Sequence, residues 1–92
     1  MTALRKYNAK RDANEGALVR VLEDMGCRVY RLDQPCDLLV LVRGDVLLVE
    51  VKMPKGTLND NQQEFVNAGW PVHVIRTEDD AINLVKRLRS AA

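Results

Sequence analysis

The stretch VLLVEVKMPKG, Val46–Gly56, decides how this chain is read. Its first half is an unbroken aliphatic run, Val46 to Val49, with the composition of a strand buried on both faces. Glu50 and Lys52 stand at the end of that run, and the two-residue period of a strand puts their side chains on one face. A carboxylate and an ammonium carried side by side into a hydrophobic sheet are either a structural ion pair or part of a working site.

Working outward, the flanking segments supply a complete small fold. From about Asp12 to Met25, the residues Leu18, Val21, Leu22 and Met25 recur at helical spacing, and Gly26 closes the helix. Cys27–Leu32 reads as a strand, Asp33-Gln34-Pro35 as a turn, and Cys36–Val42 as a second strand. Arg43-Gly44-Asp45 is a tight turn into the third strand, Val46–Lys52. After a loop containing Pro54 and Gly56, Asn59 followed three residues later by Gln62 resembles a capping box, opening a short helix that ends near Gly69. Pro71–Arg76 is a fourth strand. Thr77, ahead of Glu78, Asp79 and Asp80, caps a last helix whose Ala81, Leu84, Val85 and Leu88 share a face.

The expected order is αβββαβα. Tight turns make the first three strands antiparallel, and the intervening helix makes the third and fourth parallel. The fold class is therefore α/β, a mixed four-stranded sheet flanked by helices.

A chain of 92 residues is expected to form one domain, residues 1–92, with a single core. The net charge of +1 is uninformative, but its distribution is not. Arg5, Lys6, Lys10 and Arg11 make residues 1–11 a basic arm, and Lys86, Arg87 and Arg89 form a second cluster. Such clusters meet phosphates, or they are a solvated tail and a helix C-terminus favoured by the dipole. The N-terminus has no apolar leader segment, and no apolar stretch approaches the ~18 residues of a membrane span. The expectation is a cytoplasmic protein without membrane contact. Cys27 and Cys36 fit no metal spacing and are read as small buried hydrophobes. The single histidine, His73, excludes a site built on several imidazoles and reads as a packed residue.

With the hairpin turn centred near Gly44, Asp37 falls opposite the Glu50–Lys52 segment. Directly opposed residues have Cβ atoms ~4.5 to 5.5 Å apart. Two carboxylates that close repel unless something neutralises them. Lys52 does so in part, and a divalent cation does it better. Carboxylates, a backbone carbonyl and waters suit Mg²⁺ or Mn²⁺. Glu15 continues the apolar stripe of the first helix, which aims a third acid at the core side. It is equally an acid favoured by the dipole in a first turn.

Asp37, then Glu50-Val51-Lys52, within αβββαβα, resembles the restriction-endonuclease-like core of the PD-(D/E)XK nuclease superfamily. Asn14-Glu15 in the first helix, Leu58 to Gln62 followed by Phe65, and Trp70 to Ile75 leading into Thr77–Ala81 narrow this. Together they are similar to the virus-type replication-repair nuclease (VRR-NUC) domain, and more distantly to archaeal-type Holliday junction resolvases. The resemblance runs from about Asp12 to Leu88. Two positions depart from it: Cys36 stands where the superfamily's naming proline often lies, and Asn59 where threonine is common.

The resemblance implies a metal-dependent DNA endonuclease acting on Holliday junctions or other branched DNA in replication, recombination or repair. It further implies a homodimer in a bacterial cell, with phage origin open. Asp37 and Glu50 would ligate Mg²⁺ or Mn²⁺, with the Val51 carbonyl as a further ligand and Glu15 bound directly or through water. Lys52 would orient or activate the attacking water and stabilise charge developing on the phosphate, and Gln62 would hold Lys52 or the substrate backbone. Arg5, Lys6, Lys10, Arg11 and Lys55 would bind DNA.

Each of these residues has a plainer reading. Asp37 and Lys52 make a cross-strand ion pair, Gln62 is half of a capping box, and Trp70 anchors the start of the fourth strand. The rival functional class is a non-catalytic DNA-binding or interaction module on the same fold.

Overall fold

The structure is a computed structural model and describes residues 12–90; the basic arm with Arg5, Lys6, Lys10 and Arg11 lies outside the described residues. Within them the chain forms helix α1 (Glu15–Asp24) and strands β1 (Arg28–Arg31), β2 (Leu38–Val42) and β3 (Asp45–Val51). Helix α2 (Asp60–Asn67), strand β4 (Val72–Ile75) and helix α3 (Glu78–Ser90) follow. The result is an α/β fold with one mixed four-stranded sheet in the order β1-β2-β3-β4. Strand β2 is antiparallel to both of its neighbours, β1 and β3, and β4 joins β3 in parallel.

The β2–β3 hairpin sets the register of everything at the site. Its loop is Arg43–Gly44, with φ of 50° and 92°. Positive φ at both positions is the two-residue geometry whose twist matches the flanking strands, and Gly44 adopts it without a Cβ penalty. Val42 pairs with Asp45, so Asp45 belongs to the strand rather than to the turn, and the ladder runs to Leu38 opposite Val49. Extending that alternation by one residue puts Asp37 beside Glu50.

One face of the sheet carries the core. Leu38, Val40, Val42, Leu47, Val49, Val51 and Ile75 pack against Leu18 and Leu22 of α1 and Ala81, Leu84 and Val85 of α3. Burying each Leu or Ile contributes roughly 1.5–3 kcal/mol, so this layer holds α1 and α3 in place. Helix α1 ends at Asp24 because Gly26, at φ 92°, turns the chain out of the helix. At the start of α3, the Asp80 N–H donates to Thr77 Oγ1 at 3.1 Å. Asp80 Oδ2 in turn accepts the Arg76 and Thr77 N–H groups at 2.8 and 3.2 Å.

The opposite face is only partly covered, which corrects the expectation that the β3 run is buried on both faces. Val46 is 63% exposed and Tyr30 67% exposed. Helix α2 buries no residue of its own and covers this face only near Glu50 and Val72. Cys27 and Cys36 are buried free thiols, as their spacing implied. No helix among the described residues is long and apolar enough to cross a membrane.

Candidate active site

Four residues meet at the end of β3. The Val51 N–H donates to Asp37 Oδ2 at 2.8 Å, fixing the Asp37 carboxylate across the hairpin. The Asp37 carbonyl accepts the Leu32 N–H at 2.7 Å, which ties the same residue to the end of β1. Glu50 is 2% exposed, and its Oε2 accepts a hydrogen bond from Gln62 Nε2 at 2.6 Å. Lys52 Nζ lies 3.4 Å from the same oxygen. Asp37 is close enough to hydrogen-bond Glu50. Asp37, Glu50, Lys52 and Gln62 are thus one cluster, with Gln62 reaching Glu50 rather than Lys52.

This geometry perturbs Glu50. Burial raises its pKa from 4.5 to about 7, the neighbouring Asp37 charge adds to the rise, and Lys52 opposes it. Burial and Asp37 thus favour the neutral form of Glu50, and Lys52 favours the charged one.

Gln62 performs its two tasks through different atoms. Its side-chain oxygen accepts the Asn59 N–H at 2.9 Å, and its own N–H donates to Asn59 Oδ1 at 2.8 Å, which completes the capping box of α2. The amide nitrogen remains for Glu50. The capping reading of Gln62 holds, and its amide reaches Glu50 rather than the expected Lys52.

Glu15 is buried on the core side, 2% exposed, and its Oε2 lies 3.4 Å from Arg31 Nε at the end of β1. Arg31 pairs with Leu38, next to Asp37, so Glu15 comes to the same end of the sheet. Among the described residues no group of three or more His, Cys, Asp or Glu side chains is placed to hold a metal ion. Asp37 and Glu50 form a two-carboxylate site that Glu15 does not extend into a three-carboxylate cage.

Asp37 and Glu50 open into a cleft of about 230 Å³, which Asp33, Asn61, Gln62 and Phe65 also line. Lys55 is exposed on the loop between β3 and α2. That loop is held by the Gly56 N–H on the Met53 carbonyl at 2.8 Å and by an Arg76 guanidinium N–H on the Gly56 carbonyl at 3.0 Å. His73 is half-buried, and burial and then Arg87 push its pKa below the ordinary value. Both effects favour its neutral form.

Asn14 and Asp12 carry roles that the sequence concealed. Asn14 occupies the N-cap of α1 yet makes no side-chain cap. Its Nδ2 donates instead to the carbonyls of Lys52 at 3.0 Å and Arg76 at 2.9 Å. Asp12 Oδ2 accepts the Met53 N–H at 2.9 Å. The Lys52 N–H is bonded to the Ile75 carbonyl at 3.1 Å, so the backbone around Lys52 is fixed on every side. An Asn just ahead of a helix reads as a cap, and no local signal marks this one as a clamp.

No family model, curated protein or solved structure matches the chain. The functional reading rests on this geometry.

Proposed function

We propose that the chain is a metal-dependent DNA endonuclease built on a PD-(D/E)XK-type, restriction-endonuclease-like core of the VRR-NUC kind. The observation that carries the reading is buried Glu50 beside half-buried Asp37, with Lys52 3.4 Å and Gln62 2.6 Å from Glu50. Burial, with the Asp37 charge adding to it, lifts Glu50 to about 7, and a small cation between the two carboxylates would favour their charged forms. Two carboxylates completed by water and substrate phosphate are the donor set Mg²⁺ commonly takes, so the residues fit Mg²⁺ or Mn²⁺. Asp37 and Glu50 would hold the ion with the Val51 carbonyl, and Glu15 would act through water.

When bound, the divalent ion supplies Lewis acidity toward a phosphoryl oxygen and a lowered pKa for the attacking water. Lys52 orients that water and stabilises charge developing on the phosphate. Gln62 keeps Glu50 aimed into the cleft. Lys55 and the basic arm of Arg5, Lys6, Lys10 and Arg11 bind DNA phosphates, which predicts salt-dependent affinity.

The substrate class is branched DNA in replication, recombination or repair, cut by a homodimer. A domain this small has little surface for enclosing a duplex, and two sites related by a twofold axis suit paired cuts. Incubating the purified protein with linear, flapped and four-way DNA, with Mg²⁺ or Mn²⁺ and with chelator, tests the activity, and sedimentation tests the dimer. Metal-dependent nicking that favours branched substrates is the expected result. Binding without cleavage would instead make the chain a non-catalytic DNA-binding module.

A further inference from the structure

The chain's single tryptophan, Trp70, is 55% exposed yet held in one orientation. Helix α2 ends at Asn67, and Gly69 follows at φ 108°. No atom lies within 4 Å of where a Gly69 Cβ would stand, so the glycine is required by the backbone turn and not by crowding. That turn returns Trp70 over Phe65, ring on ring, with centroids 5.3 Å apart and planes 2° from parallel. Pro71 follows at once, and the Val72 N–H closes a tight turn on the Trp70 carbonyl at 3.0 Å. Phe65 in turn lines the cleft that contains Asp37 and Glu50. The stacked pair therefore links the rim of the cleft to solvent.

We propose that Trp70 is a stacking platform for an unpaired nucleobase, and that the substrate carries a single-stranded segment at its branch. The inference rests on the nuclease reading for the course of the DNA and deepens it by naming the substrate class. A fixed, half-exposed indole loses little conformational freedom when a base stacks on it, and such stacking tolerates any base. A base inside a duplex has both faces covered by its neighbours. The platform thus selects flaps and single-strand junctions over fully paired four-way junctions. If Trp70 served only to cover Phe65, another large apolar side chain would do the same work.

The test uses the full chain, in buffer free of divalent ions so that cleavage does not intervene. The emission of the lone tryptophan is followed as single-stranded oligonucleotide, flapped duplex or blunt duplex is added. Saturable quenching by the first two and not by blunt duplex is expected. Anisotropy of labelled single strands then compares variants. Trp70→Tyr should bind as wild type, and Trp70→Leu, which keeps an apolar cover on Phe65, should bind about tenfold more weakly. Equal quenching by blunt duplex, no quenching at all, or wild-type affinity in Trp70→Leu would overturn the platform. If Trp70→Leu fails to fold, the wild-type quenching series decides alone. Quenching without metal-dependent cleavage removes the nuclease reading and leaves the platform; cleavage without quenching does the reverse.

Discussion

Gln62 donates its amide to Glu50 across 2.6 Å while its side-chain oxygen accepts the Asn59 N–H at 2.9 Å. One side chain thus starts a helix and orients the most perturbed acid of the site. Because α2 buries no residue, this hydrogen bond and the half-buried Phe65 and Val66 are what attach it to the sheet. The position of α2 and the orientation of Glu50 are coupled through one residue.

The two roles of Gln62 are separable. Asn59→Ala removes the cap, at a cost of about 1 kcal/mol, and leaves the Gln62 amide for Glu50. Gln62→Ala removes both contacts. Urea unfolding should show the larger loss in Gln62→Ala, while cleavage drops at least about tenfold in that variant alone. Activity that follows stability equally in both would reduce Gln62 to a cap.

Glu50 makes the stability of the metal-free protein fall as pH rises. Its folded pKa of about 7 lies above the unfolded value of 4.5, so between those values the folded state binds the additional proton. Its stabilising contribution is complete below about pH 4.5 and is lost as pH rises through about 7, a change on the order of a few kcal/mol. Glu50→Gln should flatten this dependence and unfold at higher urea than wild type above neutrality. Both Glu50→Gln and Asp37→Asn should abolish metal-dependent cleavage. Parallel urea titrations on either side of neutrality settle the point, since a Glu50→Gln profile that still falls with pH would contradict this assignment.

The hairpin and its consequences were legible because they depend on short-range rules. A tight turn at Arg43-Gly44-Asp45 between aliphatic runs is enough to place Asp37 opposite the Glu50–Lys52 segment. The structure shortens the loop to Arg43-Gly44, which brings Asp37 beside Glu50. The parity of Glu50 and Lys52 follows from strand period alone. Glu15 was legible through its place on the α1 stripe, and Gln62 through its spacing from Asn59. Three features were not legible, and each depends on tertiary placement. Val46 is exposed because α2 settles near Glu50 and leaves the far end of that face open. Asp12 lies outside α1 because its carboxylate is taken by Met53, 41 residues away. Arg31 meets Glu15 only once β1 and α1 are packed together.

Lys52 should separate from its carboxylate neighbours in calorimetry with Mn²⁺. Its ammonium is not a ligand, so Lys52→Ala should lose turnover and keep Mn²⁺ binding, while Asp37→Asn and Glu50→Gln lose both. Removing Lys52 also removes the ammonium beside Glu50, which raises the Glu50 pKa further. Mn²⁺ binding by Lys52→Ala should accordingly need a higher pH than wild type. Equal loss of affinity in all three variants would make the cluster structural.

Asn14 gives the sharpest test of how Lys52 is placed. Asn at an N-cap normally accepts a backbone N–H of its own helix. Here its Nδ2 instead spans the Lys52 and Arg76 carbonyls, and its Oδ1 is buried with no hydrogen-bond partner among the described residues. A buried acceptor left unmade costs roughly 1–3 kcal/mol, so the local preference has been overridden by a demand at the strand ends. Asn14→Asp keeps the size and the capping preference but turns acceptors toward two carbonyls. It should destabilise by roughly 1–3 kcal/mol and lower kcat while leaving KM and Mn²⁺ affinity near wild type. Lys52→Ala lets the structural and positioning contributions be told apart. If Asn14 acts through Lys52, Asn14→Asp should cost little further turnover once Lys52 is already Ala. Fully additive losses would mean that Asn14 only braces the fold.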